Sequence, residues 1–298
     1  MSTTQDLNQE IDTMSAKLTS ATTFTPTVNT QEQSKVTTLN NTASCQDLDS
    51  KRSCIIQKNV RNLPELNIPE KILFVVDTVK EEDVTPFKVG TGEPYPPLYM
   101  IKRVVETFIN AKSMIQRKHE YGLMILDSAH TRWVCDFTNN VKTILKTLDT
   151  IEESSDEEET FDIGQVFEEI QARTAAKSYS MTLPLFTTRV ILIYSRSNCM
   201  PRFQRGQKFL KNLTENPYFF LDVLFVHEPP TNENLCEKVY AELITLDTTN
   251  FSYILEVGRN AAKLHDNMAK LLAHPLQRPP QKDMCYTINE SIIHPENL

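Results

Sequence analysis

Through residue 65 the chain shows no recurring apolar position: about half of the side chains are Ser, Thr, Asn or Gln, aromatics are few and glycine is absent. Such a segment cannot bury enough apolar surface to offset chain entropy, so 1–65 is expected to be a disordered tail. The pattern changes at Lys71. Ile72-Leu73-Phe74-Val75-Val76-Asp77 is a continuous apolar run bounded by Pro69 and a charged loop, which predicts a strand buried on both faces. After a turn-rich stretch, Ile101, Val104, Val105, Phe108, Ala111 and Ile115 recur at helical spacing and predict a long amphipathic helix. Two further apolar runs, 123–127 and 132–137, are separated by Ser128-Ala129-His130 and suit a hairpin.

Beyond the hairpin the spacing alternates. A short helix (Val141, Ile144, Leu145, Leu148), a helix from about Gly164 to Lys177 and a strand at 190–194 are followed by a helix near 205–213. A strand at 219–226, a helix around 235–245, a strand at 253–257 and a helix carrying Ala261, Leu264, Met268 and Leu271 complete the series. Apolar strands alternating with helices predict an α/β fold: a doubly wound, mostly parallel sheet with one antiparallel strand and helices on both faces. This domain is expected over 66–273. From His274 onward Pro275, Pro279, Pro280 and Pro295 break the pattern, so 274–298 reads as a floppy end or a docking peptide.

Charge adds exclusions. There are 31 Lys+Arg against 39 Asp+Glu, a net of −8, the wrong sign for a protein held mainly by nucleic-acid phosphates or anionic lipid. The six glycines stand apart and cannot assemble a dinucleotide fingerprint, a Walker loop or a nucleophile elbow. The six cysteines and six histidines show no zinc spacing, and cysteines within apolar runs point to a reducing compartment. No apolar stretch approaches the length of a membrane span and the start lacks a signal sequence, so neither is expected.

In open α/β sheets ligands sit at the carboxyl ends of strands. The first strand delivers Asp77-Thr78-Val79-Lys80-Glu81 there. An aspartate after strand one, a long helix, a hairpin and further βα units resemble the von Willebrand factor A family, whose metal site begins with D-x-S-x-S. Mapped onto that pattern, Asp77 holds the first position, while Val79 and Glu81 replace the serines. Phe161 stands for the threonine and Ser195 for the later aspartate. Valine and phenylalanine offer Mg²⁺ no oxygen, so the expectation is a degenerate, metal-free site with no cofactor, in which Asp77 bonds its own loop.

Other candidates are less specific. Asp127, His130 and Asp136 on the hairpin could serve acid/base chemistry, but read better as a solvated face. Arg202, Arg205, Lys208 and Lys211, interleaved with Phe203 and Phe209, form a basic stretch that also reads as solvated surface. The run Glu152 to Glu159 reads as an exposed acidic loop whose Ser154 and Ser155 sit where an acid-directed kinase looks.

The opening strand, the helix ending Leu271-Leu272-Ala273 and the following His274-Pro275-Leu276-Gln277-Arg278-Pro279 resemble the adaptor subunits of the BRISC and BRCA-A deubiquitinase assemblies, over about Leu63 to Pro280. The resemblance implies a non-catalytic subunit in cytoplasm and nucleus that acts in DNA damage and ubiquitin signalling. Its implied partners are a ubiquitin-conjugating-variant scaffold (the brain and reproductive organ-expressed protein), an Abraxas-type scaffold, a JAMM-type zinc protease specific for lysine-sixty-three-linked chains, and serine hydroxymethyltransferase. It further implies that Pro275, Leu276, Arg278, Pro279 and Pro280 dock on the scaffold. A ubiquitin receptor of the same fold, or an enzyme with a site near Asp77, are the alternatives.

Overall fold

The computed structural model describes residues 67–284 except 83, 91, 156–157 and 175–183; the tail expected at 1–65 and the last fourteen residues lie outside the described residues. The central strand β1 (Glu70–Asp77) is apolar through its length because both its faces are covered. Ile72, Phe74 and Val76 point into one core layer; Leu73 and Val75 point into the other. A short antiparallel pair, β2 (Phe87–Lys88) and β3 (Pro94–Tyr95), leads into the long helix α1 (Pro97–Ile115). Proline at its first turn lacks only an N–H that would be unpaired there anyway.

The hairpin follows as β4 (Glu120–Leu126) and β5 (Thr131–Thr138), antiparallel as the spacing predicts. Then come α2 (Val141–Asp149), β6 (Thr160–Asp162), α3 (Gly164–Thr174), β7 (Thr187–Tyr194), β8 (Met200–Arg202) and α4 (Gln207–Glu215). Strand β9 (Phe219–Val226), α5 (Cys236–Ile244), β10 (Ile254–Val257) and α6 (Ala261–Lys270) complete the regular elements. The six-stranded sheet has the order β10-β9-β7-β1-β4-β5, with every pair parallel except β4 with β5. Helices α1, α2 and α6 cover one face, and α3, α4 and α5 cover the other. This is the von Willebrand factor A-like, doubly wound arrangement expected from the sequence.

Two short strands, β6 and β8, pair in parallel beside the main sheet and were not legible as apolar runs, since each has only three residues. They bring the start of α3 against the start of α4. A Cβ on Gly164 would lie 1.9 Å from the Arg205 carbonyl oxygen, so this approach requires glycine. Asp162 caps the junction by accepting from the backbone N–H groups of Gly164 and Gln204.

Beyond the expected boundary at Ala273, residues 274–284 pack on the domain, with His274, Pro275 and Arg278 buried. The Tyr253 hydroxyl donates to the Pro279 carbonyl at 2.7 Å. The Gln281 side chain both accepts from the Ile254 N–H and donates to the Ile254 carbonyl, pairing with the outer edge of β10 as a strand would.

Candidate functional site

Asp77 ends β1 and faces the loop that follows β7. Its Oδ1 accepts from the Val79 N–H at 3.3 Å, and its Oδ2 accepts from the Ser195 N–H at 3.0 Å. The Arg196 Nε donates to both carboxylate oxygens, at 3.0 and 3.2 Å, and the side chains of Arg196 and Asp77 are 1% and 0% exposed. The guanidinium also donates to the carbonyls of Ser128, at 2.9 Å, and Asp127, and lies 4.8 Å over the Phe161 ring. Burial by itself would pull the Arg196 pKa down, but the Asp77 carboxylate outweighs it and the net shift is upward.

The side chains at the family's metal positions do not fit a metal. Asp77 is committed to Arg196 and two backbone N–H groups. Phe161 presents its ring to the guanidinium, Val79 offers no side-chain oxygen, and Ser195 engages Asp77 through its backbone N–H. Glu81 binds the N–H groups of Ser197 and Asn198 at 2.8 and 2.7 Å, tying the β1 loop to the β7 loop. Among the described residues no group of three or more His, Cys, Asp or Glu side chains could hold a metal ion. The expected bond from Asp77 to its own loop is present at Val79, but the dominant partner, Arg196, was missed. The signal was Arg196, a basic residue two positions after the apolar strand that ends at Tyr194.

The other candidates separate. Asp127 closes the hairpin turn, its Oδ1 accepting from the His130 N–H at 2.8 Å, while Asp136 lies at the far end of β5 against Arg173. They form a turn and a surface ion pair rather than one constellation. In the basic stretch Phe203 and Phe209 pack toward the core, Phe203 stacking on Phe167, and the Lys208 ammonium lies 5.0 Å over the Phe209 ring. Arg205 meets Asp162 at 3.3 Å. Within the acidic loop Ser154 bridges to Val79: its N–H donates to the Thr78 carbonyl at 2.9 Å and its carbonyl accepts from the Lys80 N–H at 2.8 Å. Ser155 is exposed.

At the opposite end of the sheet a buried ionic cluster accounts for the segment expected to dock. Arg189 on β7 spans Glu70 on β1, at 3.3 Å, and Asp222 on β9, at 2.8 Å. Lys112 of α1 meets Glu70 at 2.5 Å and donates to the Leu272 carbonyl at 2.8 Å. Arg278 grips both oxygens of Asp222, its guanidinium 3.8 Å over the Tyr253 ring. Burial opposes ionisation of Asp222, but Arg278 and Arg189 prevail and its pKa falls. Nearby, the His119 Nδ1 accepts from the Glu70 N–H at 2.9 Å, and burial pushes this imidazole down to about 4.

Arg278 and Pro275, expected to contact a partner, are therefore turned inward, while Leu276 and Pro280 are half-buried and Pro279 is exposed. Charged residues inside apolar strands, Arg189 in Thr-Thr-Arg-Val-Ile and Asp222 in Phe-Leu-Asp-Val-Leu, were the overlooked signal, since buried charges are almost always paired.

No protein-family model matches the chain. It is similar to the Homo sapiens protein described as "BRISC and BRCA1-A complex member 1", with 31% identity over 235 residues covering 76% of this chain and 70% of that one. The Mus musculus counterpart is 31% identical over 76% of this chain and 69% of its own, and the Xenopus laevis counterpart 30% identical over 76% and 70%. Among solved structures it is similar to the SpRpn10 VWA domain, at 10% identity and a TM-score of 0.41 over 70% of this chain and 97% of that one.

Proposed function

Because this chain belongs to the BRISC and BRCA1-A complex member 1 family, we propose that it is a non-catalytic adaptor stabilising a deubiquitinase assembly through surface contacts. The observation that carries the proposal is the engagement of Asp77 by Arg196. Where the wider fold family would offer a carboxylate to a metal and its ligand, this chain has filled the place with its own guanidinium. The fold serves as a shaped body rather than as a reaction site.

The partners follow the sequence resemblance: a ubiquitin-conjugating-variant scaffold, an Abraxas-type scaffold and a JAMM-type protease acting on lysine-sixty-three-linked chains, in nuclear and cytoplasmic versions. Serine hydroxymethyltransferase joins the cytoplasmic one. In this reading the docking epitope is the outward side of 276–280, with Leu276, Pro279 and Pro280 meeting the scaffold while His274 and Arg278 hold the segment in shape. A peptide already fixed on its own domain loses little entropy on binding.

The test is co-expression of the full chain with the ubiquitin-variant scaffold and the JAMM protease, followed by pull-down. Leu276→Asp is compared with the natural protein after both are shown to melt alike. Loss of assembly with unchanged melting supports the epitope. Retained assembly refutes it, and failure of the natural chain to assemble refutes the adaptor function itself.

A further inference from the structure

The acidic run carries two serines that the sequence cannot tell apart. Ser154 has Glu157 three residues later and Ser155 has Glu158, so each satisfies a kinase that reads a carboxylate at that distance. The fold treats them differently. Ser154 is half-buried and held by two backbone hydrogen bonds to the stretch just after β1, from its N–H to Thr78 and from Lys80 to its carbonyl. Its Oγ lies 3.5 Å from Thr78 Oγ1, which itself donates to the Leu126 carbonyl. Further along, the Glu159 carbonyl accepts from the Met200 N–H at 2.9 Å. Between these two fastenings Ser155 and Glu158 are both exposed.

A protein kinase must draw the acceptor and the residues after it into its own cleft. For Ser154 that requires breaking the bridge to Thr78 and Lys80. For Ser155 the acceptor lies outside the bridge, and Glu158, three residues on, is exposed. We propose that Ser155, and not Ser154, is the phosphoacceptor of this chain for an acid-directed Ser/Thr kinase. In the transfer the Ser155 Oγ takes the γ-phosphoryl group of ATP, ADP departs, and the hydroxyl proton passes to the kinase's base.

The added phosphate carries about −1.5 to −2 charge at neutral pH. It arrives beside Glu152, Glu153, Glu158 and Glu159, all exposed, where Lys80 already pairs with Glu153 at 3.7 Å. Like-charge repulsion next to the fastening weakens the Ser154 bridge. Phosphorylation therefore loosens the loop from the Thr78–Lys80 stretch that borders Asp77. The inference is independent of the adaptor reading, since it concerns the chain without partners.

The experiment treats the folded full-length protein, its S154A and S155A variants, and a synthetic peptide spanning 148–162 with an acid-directed kinase and ATP, and maps phosphate by mass spectrometry. The peptide is expected to accept phosphate on both serines and the folded protein on Ser155. S155A lowers incorporation in this loop about ten-fold or more, whereas S154A, which keeps the backbone bridge, leaves it within about two-fold. Phosphate chiefly on Ser154 of the folded protein overturns the proposal, as does a folded protein unmodified in this loop or a peptide that is not a substrate.

Discussion

Arg278 closes on Asp222 across 56 residues of sequence, one guanidinium nitrogen on each carboxylate oxygen, and the carboxylate belongs to the middle of a strand buried along its whole length. The contact fastens the segment after the last helix to β9, the strand beside the sheet's edge strand β10. It also explains why a histidine, proline and arginine follow the last helix: His274 reaches the Ile68 carbonyl at 3.0 Å, and Arg278 completes the charge balance around Asp222.

Arg278→Ala is therefore expected to destabilise the isolated protein by about 3–5 kcal/mol, the range for removing one partner of a buried pair. Urea denaturation of the full chain reads this directly. A chain cut after Ala273 should be destabilised as well, so loss of complex formation by such a truncation would not by itself identify a docking site.

Arg196→Met is expected to cost a similar amount, about 3 kcal/mol, because Asp77 would keep only its backbone N–H partners in a buried site. Adding Asp77→Asn to Arg196→Met should recover part of the loss, which a double-mutant cycle measures. Millimolar Mg²⁺ should not raise the melting temperature of the R196M protein, since Val79 and Phe161 supply no oxygen. A magnesium-dependent rise would show that the pocket retains a metal geometry.

The pH dependence has a definite sign. The His119 pKa is lowered, first by burial and then by Lys112 and His274 against the opposing pull of Glu70, to about 4 from 6.5. The unfolded chain thus binds a proton that the folded chain refuses, and stability falls as pH drops from 6.5 toward 4. His119 alone should remove about 2 kcal/mol between pH 7 and 5. His274, lowered chiefly by burial, acts in the same direction. His119→Asn keeps an acceptor for the Glu70 N–H, so its denaturation midpoint should fall less over that interval. Equal slopes for both proteins would rule out His119 as the titrating group.

Gly164→Ala should destabilise the domain by about 1–3 kcal/mol, the usual cost of overpacking. The added methyl meets the Arg205 carbonyl, a backbone atom that cannot swing aside. Thermal melting checks this, and Gly90, with open space around its Cβ position, supplies the control: Gly90→Ala should melt like the natural protein.

The apolar runs at β1, β7 and β9, the helical spacing of α1 and the short link between β4 and β5 determined the layers, the parallel pairing and the antiparallel edge. Each is a local period in the sequence, and the hydrophobic effect converts such a period into a buried face. The same reading identified Asp77 and the missing oxygen donors at Val79 and Phe161, because these depend on residue type. What took the carboxylate's place was decided only in three dimensions, where the loop after β7 carries Arg196 onto Asp77 from 119 residues away. The inward turn of Arg278 and the different exposure of Ser154 and Ser155 were decided there too. A charge or a hydroxyl has no periodicity that names its partner, and whether it meets solvent or another group depends on which distant segments the packed core brings beside it.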